Sequence, residues 1–308
     1  MAQSTVSLRI GTRGSPLALV QARMARSRLA AATGVVEDAI ELVVIRTTGD
    51  TIQDRSLAEE GGKGLFTKEI EEALLDQRID LAVHSTKDMP TFLPEGLVLA
   101  AFLEREDPRD VFISRKARAL SELPRGASLG TASLRRQAIA LRARPDLRIA
   151  PLRGNVETRL RKIEAGEADA TLLALAGLKR LGLTGQATQI MSVEEFLPAV
   201  GQGAIGLEAR ADDARVRDIL ARIDHADTSS AIECERAFLA AIDGSCRTPI
   251  AGHATVAADA VQFRGLIARP DGGAAHDIAG TGHRKDAVAI GTEAGRELKH
   301  RAGPGFFD

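Results

Sequence analysis

Residues 7–34 pass from a short aliphatic run, "SLRIGT", through a glycine turn into a long stretch of helical period, and that order recurs over the first two hundred residues. This alternation is the strongest constraint on the chain. It predicts an α/β fold with mainly parallel strands. Ser15 is placed to cap the first helix, Pro16 suits its first position, and Gly34 closes it. Further strands are read at "AIELVVIRT" (39–47), "IDLAVHS" (79–85) and "LVLAAFL" (97–103). Phe66, Ile70, Ala73 and Leu74 mark one face of a helix ending near Gln77. The polar, glycine-rich stretch 48–64 has no period and predicts a mobile surface loop.

A charged, proline-bearing segment, "EREDPRD" (104–110), predicts a crossover into a second unit of the same texture. There the strands are "ASLGTA", "LRIAPL" and "ATLLAL", and the helices start at Ser133, in "VETRLRKIEAG" and in "AGLKRLG". A second crossover near 198 returns the chain to "GAIGLEAR" (203–210). The expected organisation is a two-lobed α/β body with a cleft. Residues 1–103 and 199–221 form domain 1, and 104–198 form domain 2. From about 222 one helix and several short strands predict a small α+β third domain, 222–308.

The net charge of −1 and an aromatic content of 3%, without Trp or Tyr, argue against a nucleic-acid partner. Two cysteines with no CxxC spacing suggest neither a disulfide framework nor a metal site. The N-terminus lacks the pattern of a signal peptide, and no apolar run approaches the roughly 20 residues of a membrane span. A soluble cytoplasmic protein is the expectation. Of the 41 basic side chains, 33 are arginine, whose planar fork suits carboxylate and phosphate oxygens.

Where those arginines sit is informative. In "GTASLRRQ" Ser133 caps a helix, so Arg135 and Arg136 occupy its first turn, where cations oppose the dipole by about 0.3–1 kcal/mol each. An anion held at that mouth would explain them; two solvated surface arginines are the plainer reading. The pattern recurs: "PLRGNVETRL" presents Arg153 in a turn and Arg159 one turn into a helix, and "GTRGSP" sets Arg13 and Ser15 at the first helix mouth. The carboxyl ends of strands are where α/β sheets bind ligands. A carboxylate-rich polyanion is favoured over phosphate, because no GxxxxGK[ST] loop occurs.

"AVHSTKDMP" (82–90) delivers His84, Lys87 and Asp88 to the same kind of position. An ionised Asp88 beside Lys87 could stabilise a developing cation and relay protons. An ordinary turn aspartate before proline is the competing reading, and His84 equally suits a satisfied core position. Lys63 and Lys68 are either loop-edge contacts or solvated lysines. Cys234 shares a helical face with Ala231, Phe238 and Ala241 and reads as core. Cys246, in the turn "GSCR", stays open among nucleophile, metal ligand, attachment point and loop residue.

Taken together, "GTRGSPLAL", "GGKGLFTKE", "AVHSTKDMP", "GTASLRRQ", "LRGNVETRL", "LAGLKRLG", "LPAVGQGA" and "GSCRTPI" resemble the porphobilinogen deaminase family, in order, from about residue 8 to 252. The resemblance implies a periplasmic-binding-protein-like two-lobed body of mixed, mainly parallel sheets plus a third domain. It implies a thioether from Cys246 to a dipyrromethane cofactor, a job suited to a thiolate favoured by Arg247. It implies condensation of four porphobilinogen molecules into hydroxymethylbilane with release of ammonia, and Asp88 as the catalytic counter-charge of a cationic azafulvene that also handles the proton transfers. Ser15, Lys87, Asp88, Ser133, Arg135 and Arg136 are assigned to the cofactor by the same match. Arg13, Arg153, Arg159, Arg180 and Gln202 are assigned to substrate, with Gln202 near the lobe hinge. The family implies a monomer, with neither metal, nucleic acid nor membrane as partner.

Two other classes compete. A non-catalytic two-lobed dicarboxylate-binding protein accounts for the lobes and the arginines, but not for Cys246, Asp88 or the third domain. A cysteine-dependent acyl transferase, with His84 or His253 as base, has no local support for its dyad.

Overall fold

The computed structural model describes residues 8–51, 64–244 and 248–307. Within them the chain forms two compact units, 1–105 with 204–229 and 106–203 with 230–308. The first begins with β1 (Leu8–Thr12), α1 (Pro16–Thr33) and β2 (Ile40–Val44). Ser15 caps α1 as expected, its hydroxyl accepting the Ala18 N–H at 3.3 Å. Gly34 ends the helix in the left-handed region (φ 73°), where a side chain would be strained. A short turn of helix, α2 (Thr48–Thr51), is followed by α3 (Lys68–Leu75), β3 (Leu81–Ser85) and β4 (Leu97–Phe102).

The chain then builds β5 (Asp110–Ser114), β6 (Ser128–Gly130), α4 (Leu134–Ala143), β7 (Arg148–Ala150), α5 (Val156–Glu164), β8 (Ala170–Ala174), α6 (Leu175–Arg180) and β9 (Gln189–Ile190). It returns to the first unit as β10 (Ile205–Arg210) and α7 (Ala214–Ala221). It finishes with α8 (Ala226–Ala241), β11 (Ile250–Ala257), β12 (Ala260–Ala268), β13 (Ala275–His283) and α9 (Ala287–Ala302).

Two five-stranded sheets share one plan. The first has the order β2-β1-β3-β10-β4 and the second β7-β6-β8-β5-β9. In each, four strands run one way and a single strand, β10 or β5, is reversed. The fold is thus α/β with mainly parallel sheets, as the sequence predicts. The reversed strands are the ones that begin after each crossover.

Alternation along β3 divides the first core: Leu81 and Val83 join Ala22, Ala25 and Leu29 of α1, while Ala82 joins Ile70, Ala73 and Leu74 of α3. In the second sheet Phe112 and Leu172 pack with Leu129 and Ile139, and Val111 and Leu173 pack with Leu178 on the other face. The crossover out of the second sheet needs glycine. At Gly203 (φ 90°) a Cβ would lie 2.3 Å from the Glu106 carbonyl oxygen.

The last segment is an antiparallel three-stranded meander, β11-β12-β13. Its core holds Cys234 and Phe238 of α8, Phe263 and Ile267 of β12, and Leu298 of α9, and the rings of Phe238 and Phe263 lie 4.8 Å apart. Strands β5 and β9 and helices α2, α7 and α9 have no counterpart in the sequence reading, which took the stretch that opens with α2 for a loop. For α9 the reason is physical: its buried positions are Ala287, Gly291, Ala294, Gly295 and Leu298, too weakly apolar to print a helical stripe.

Candidate active site

In the first unit the carboxyl ends of β1 and β3 meet the amino ends of α1 and α3. The pocket there brings together three of the expected residues, Arg13, Ser15 and Asp88, with Phe66, His84 and Ser85 also in its wall. Arg13 lies over the Phe66 ring, 4.2 Å from its centroid, a cation–π arrangement. Its Nε donates to Asp50 Oδ1 at 3.2 Å and its Nη2 to the same oxygen. Burial alone would raise the Asp50 carboxyl; the hydrogen bond and charge of Arg13 outweigh it and hold the group below its usual value.

Asp88 ends a single 3-10 turn, Thr86–Asp88, that follows β3 directly, and it is exposed. Lys87 is half-buried on the same turn. Beneath them His84 Nε2 lies 2.9 Å from Glu208 Oε2 on β10, so the histidine is partnered, as a core position requires, yet it also reaches the pocket wall. Gln21 of α1 and Ser85 exchange two hydrogen bonds of 2.9 and 3.1 Å that fix the end of β3. Of the 48–64 stretch, 52–63 lie outside the described residues, Lys63 among them. Lys68 is exposed, 3.9 Å from Glu72.

The second unit answers the arginine question in an unexpected way. Ser133 does cap α4, accepting the Arg136 N–H at 3.4 Å. The anion at that mouth belongs to the chain: Asp110, the first residue of β5, accepts from Arg135 Nη2 at 2.7 Å and from Arg136 Nε and Nη2 at 3.1 and 2.7 Å. Asp110 is 0% exposed and each arginine 5%. Burial would push the Asp110 carboxyl up, but the charges of Arg135 and Arg136 prevail and hold it at about 2. Gln202, expected to touch substrate, donates through Nε2 to Asp110 Oδ1 at 3.2 Å and to the Pro108 carbonyl at 2.7 Å.

Other donors lack partners among the described residues. Arg180 donates Nη2 to the Gly203 carbonyl at 2.7 Å, while its Nε is sealed with none; Arg135 Nε is in the same state. Burial lowers the Arg180 guanidinium to about 10. Guanidinium N–H groups left unmet inside a protein are costly unless an acceptor arrives, and carboxylate is the acceptor their geometry fits. Such a donor set suits a carboxylate-bearing group like dipyrromethane. Arg153 and Arg159 are half-buried at the start of α5, and Arg159 Nε donates to the Gly154 carbonyl at 2.8 Å.

Cys246 lies outside the described residues. Cys234 is fully buried, and burial, with the charge of Glu235, pushes its thiol up to about 12, the state of an inert core cysteine. Asp50, Asp110 and Glu208 were not singled out from sequence, and Phe66, expected on the face of a helix with Ile70, precedes α3, which starts at Lys68, and lies under Arg13 instead. Asp110 stands just ahead of the apolar run "VFI".

Comparison with known proteins follows this geometry. Residues 8–218 match the family model described as "Porphobilinogen deaminase, dipyromethane cofactor binding domain", and residues 230–300 match "Porphobilinogen deaminase, C-terminal domain". Curated porphobilinogen deaminases of Nitrobacter winogradskyi and Nitrobacter hamburgensis are each 60% identical over 298 residues, covering 97% of this chain and 94% of theirs. Among solved structures, a periplasmic substrate-binding protein of an ABC transporter from Coxiella burnetii aligns with 70% of this chain and 91% of its own, at 15% identity and a TM-score of 0.44.

Proposed function

The chain belongs to the porphobilinogen deaminase family, and from that premise we propose which of its residues carry out the reaction. It is a hydroxymethylbilane synthase, a transferase that deaminates and condenses four porphobilinogen molecules head-to-tail in tetrapyrrole biosynthesis. Its cofactor is dipyrromethane. When bound, that group supplies the nucleophilic pyrrole carbon on which the chain is built. A dicarboxylate-binding protein is not favoured.

The observation that carries the assignment is the meeting of Arg13, Ser15 and Asp88 in one pocket at strand ends. Loss of the amine leaves a cationic azafulvene on porphobilinogen, and Asp88 is the counter-charge for it. Arg13, already stacked on Phe66, takes a substrate carboxylate in exchange for Asp50. In the second unit Arg153, Arg159 and Arg180 serve acetate and propionate groups. Ser133, Lys87 and Ser15 hold the cofactor, whose thioether is on Cys246, together with Arg135 and Arg136, which Asp110 keeps in place and which offer it only the donors that Asp110 leaves over. Gln202 acts through Asp110 and is a positioning residue. Each new ring brings two carboxylates, which is why so many forks are needed.

The division into 1–103 with 199–221, 104–198 and 222–308 belongs to the same reading; each of the three sheets falls within one of these segments. So does a monomer working in the cytoplasm on a small-molecule substrate, which gel filtration and cell fractionation test.

Two measurements test the reading. The intact mass of the denatured protein should exceed the sequence mass by two deaminated porphobilinogen units, an excess lost in Cys246→Ser. Asp88→Asn should fold normally and lose roughly 10²–10⁴-fold in turnover. Ordinary turnover in that variant removes Asp88 from the mechanism.

A further inference from the structure

The pocket holds a second titratable group that the assignment leaves idle. His84 stands on β3, and its neighbour across the sheet is Gly206 of β10, while Glu208 of β10 faces Ala82. Directly opposed residues of an antiparallel pair share a face, so Glu208, Ala82 and His84 all turn toward the side covered by α3. The His84 side chain is 4% exposed and that of Glu208 0%. Among the described residues Glu208 Oε1 is sealed without a partner, and Oε2 lies 2.9 Å from His84 Nε2.

No group among the described residues hydrogen-bonds His84 Nδ1. His84 belongs to the pocket wall that also carries Asp88, and in the tautomer that gives Nε2–H to Glu208 the lone pair resides on Nδ1. A carboxylate behind one ring nitrogen of a histidine in the pocket wall is the arrangement by which an oriented imidazole serves as a base. A buried carboxylate with a single histidine partner is costly for stability alone, so its presence under this pocket calls for a use.

We propose that His84, oriented by Glu208, is the proton acceptor of the condensation, a role that rests on the reacting ring binding in this pocket. Porphobilinogen enters with its amine as ammonium. The carbon–nitrogen bond breaks, and the pair leaves with ammonia. The attacking ring forms the new carbon–carbon bond with its own π electrons and is left with a proton to lose. His84 Nδ1 takes that proton, and the C–H pair restores the ring. The imidazolium, paired with Glu208, then hands the proton to ammonia, which departs as ammonium. Asp88 keeps its charge throughout and remains the counter-ion of the cation.

The other charged groups around His84 suit this role. Glu71 of α3 is buried; burial pushes its carboxyl up, a hydrogen bond from Thr67 opposes the rise, and the charge of Glu208 adds to it. Asp88 and Lys87 lie on the turn after β3, and Arg13 lines the same pocket.

The test uses holoenzyme carrying His84→Asn, Glu208→Gln or Asp88→Asn. His84→Asn should retain the cofactor mass and keep KM within about 3-fold while kcat falls about 100-fold. Glu208→Gln should lower kcat about 10-fold and move the acid limb of the kcat–pH profile to lower pH, because an imidazolium without its counter-charge gives up its proton more easily. A purely structural pair would reduce stability and cofactor loading and leave that limb in place, which overturns the proposal. So does wild-type kcat in His84→Asn when Asp88→Asn is inactive. Full turnover in Asp88→Asn instead removes the pocket assignment itself. Should His84→Asn fail to fold, nitrogen-15 spectra of the wild-type imidazole decide: an Nε2–H tautomer whose Nδ1 resonance shifts when porphobilinogen binds supports the role, and a protonated or unmoved Nδ1 overturns it.

Discussion

The mouths of α1 and α4 present the same signal in sequence, a capping serine with arginine close by, and fold into opposite states. At α1 the pair Arg13–Asp50 is open, its side chains 24% and 27% exposed. At α4 the trio Arg135, Arg136 and Asp110 is sealed. The difference lies in where the acid comes from. Asp50 is contributed by a short helix beyond β2, at the edge of the unit, and water reaches it. Asp110 opens a strand inside the sheet, so its carboxylate is delivered to a place that only two guanidinium groups can make tolerable. One mouth can exchange its anion; the other uses an internal one as scaffold.

The largest expected contrast is in stability. Asp110→Asn leaves two buried cations facing each other and should cost about 3–5 kcal/mol in urea unfolding. Asp50→Asn should cost about 1 kcal/mol or less. Equal costs would erase the distinction. Next comes arginine geometry. Arg135 spans Asp110 and the Leu197 carbonyl, a reach that lysine cannot reproduce, so Arg135→Lys should lose about 1–3 kcal/mol of stability. Arg13→Lys should leave unfolding nearly unchanged and lower kcat/KM about tenfold.

The smallest effect is on the acid slope. Asp110 is depressed to about 2 in the fold, so its contribution is complete above the unfolded value of about 3.9 and is lost as pH falls through about 2. Asp50 is shifted in the same direction and has the same sign. Stability measured between about pH 4 and pH 2 should therefore fall more steeply in the wild type than in Asp110→Asn. Parallel slopes would show that Asp110 is not the group responsible.

What sequence reveals follows the range of the interaction. Caps at Ser15 and Ser133 are settled within three residues, and both were legible. Strand ends that bear Arg13 and Asp88 were legible because a local turn follows an aliphatic run. Asp110 meets Arg135 across 25 positions and His84 meets Glu208 across 124, contacts made only when strands pair. No local pattern announces which acid will arrive. The second sheet's β5 was hidden for a related reason: its first residue is charged and its apolar run is only "VFI", as brief as a loop segment.

One consequence of the strand order concerns time. Strand β4 is hydrogen-bonded only to β10, and β10 alone closes the open side of β3. About a hundred residues separate β4 from β10 in the chain. At a synthesis rate of roughly 5–20 residues per second, the first sheet must wait on the order of 5–20 seconds for its keystone. During that interval β3, apolar on both faces, offers an open edge on the ribosome, the kind of surface that recruits unwanted strands. The second sheet escapes this delay, since its reversed strand is made first. Birth order thus divides two sheets that share one plan: the half that holds Asp88 is begun first and finished only after the second sheet is complete.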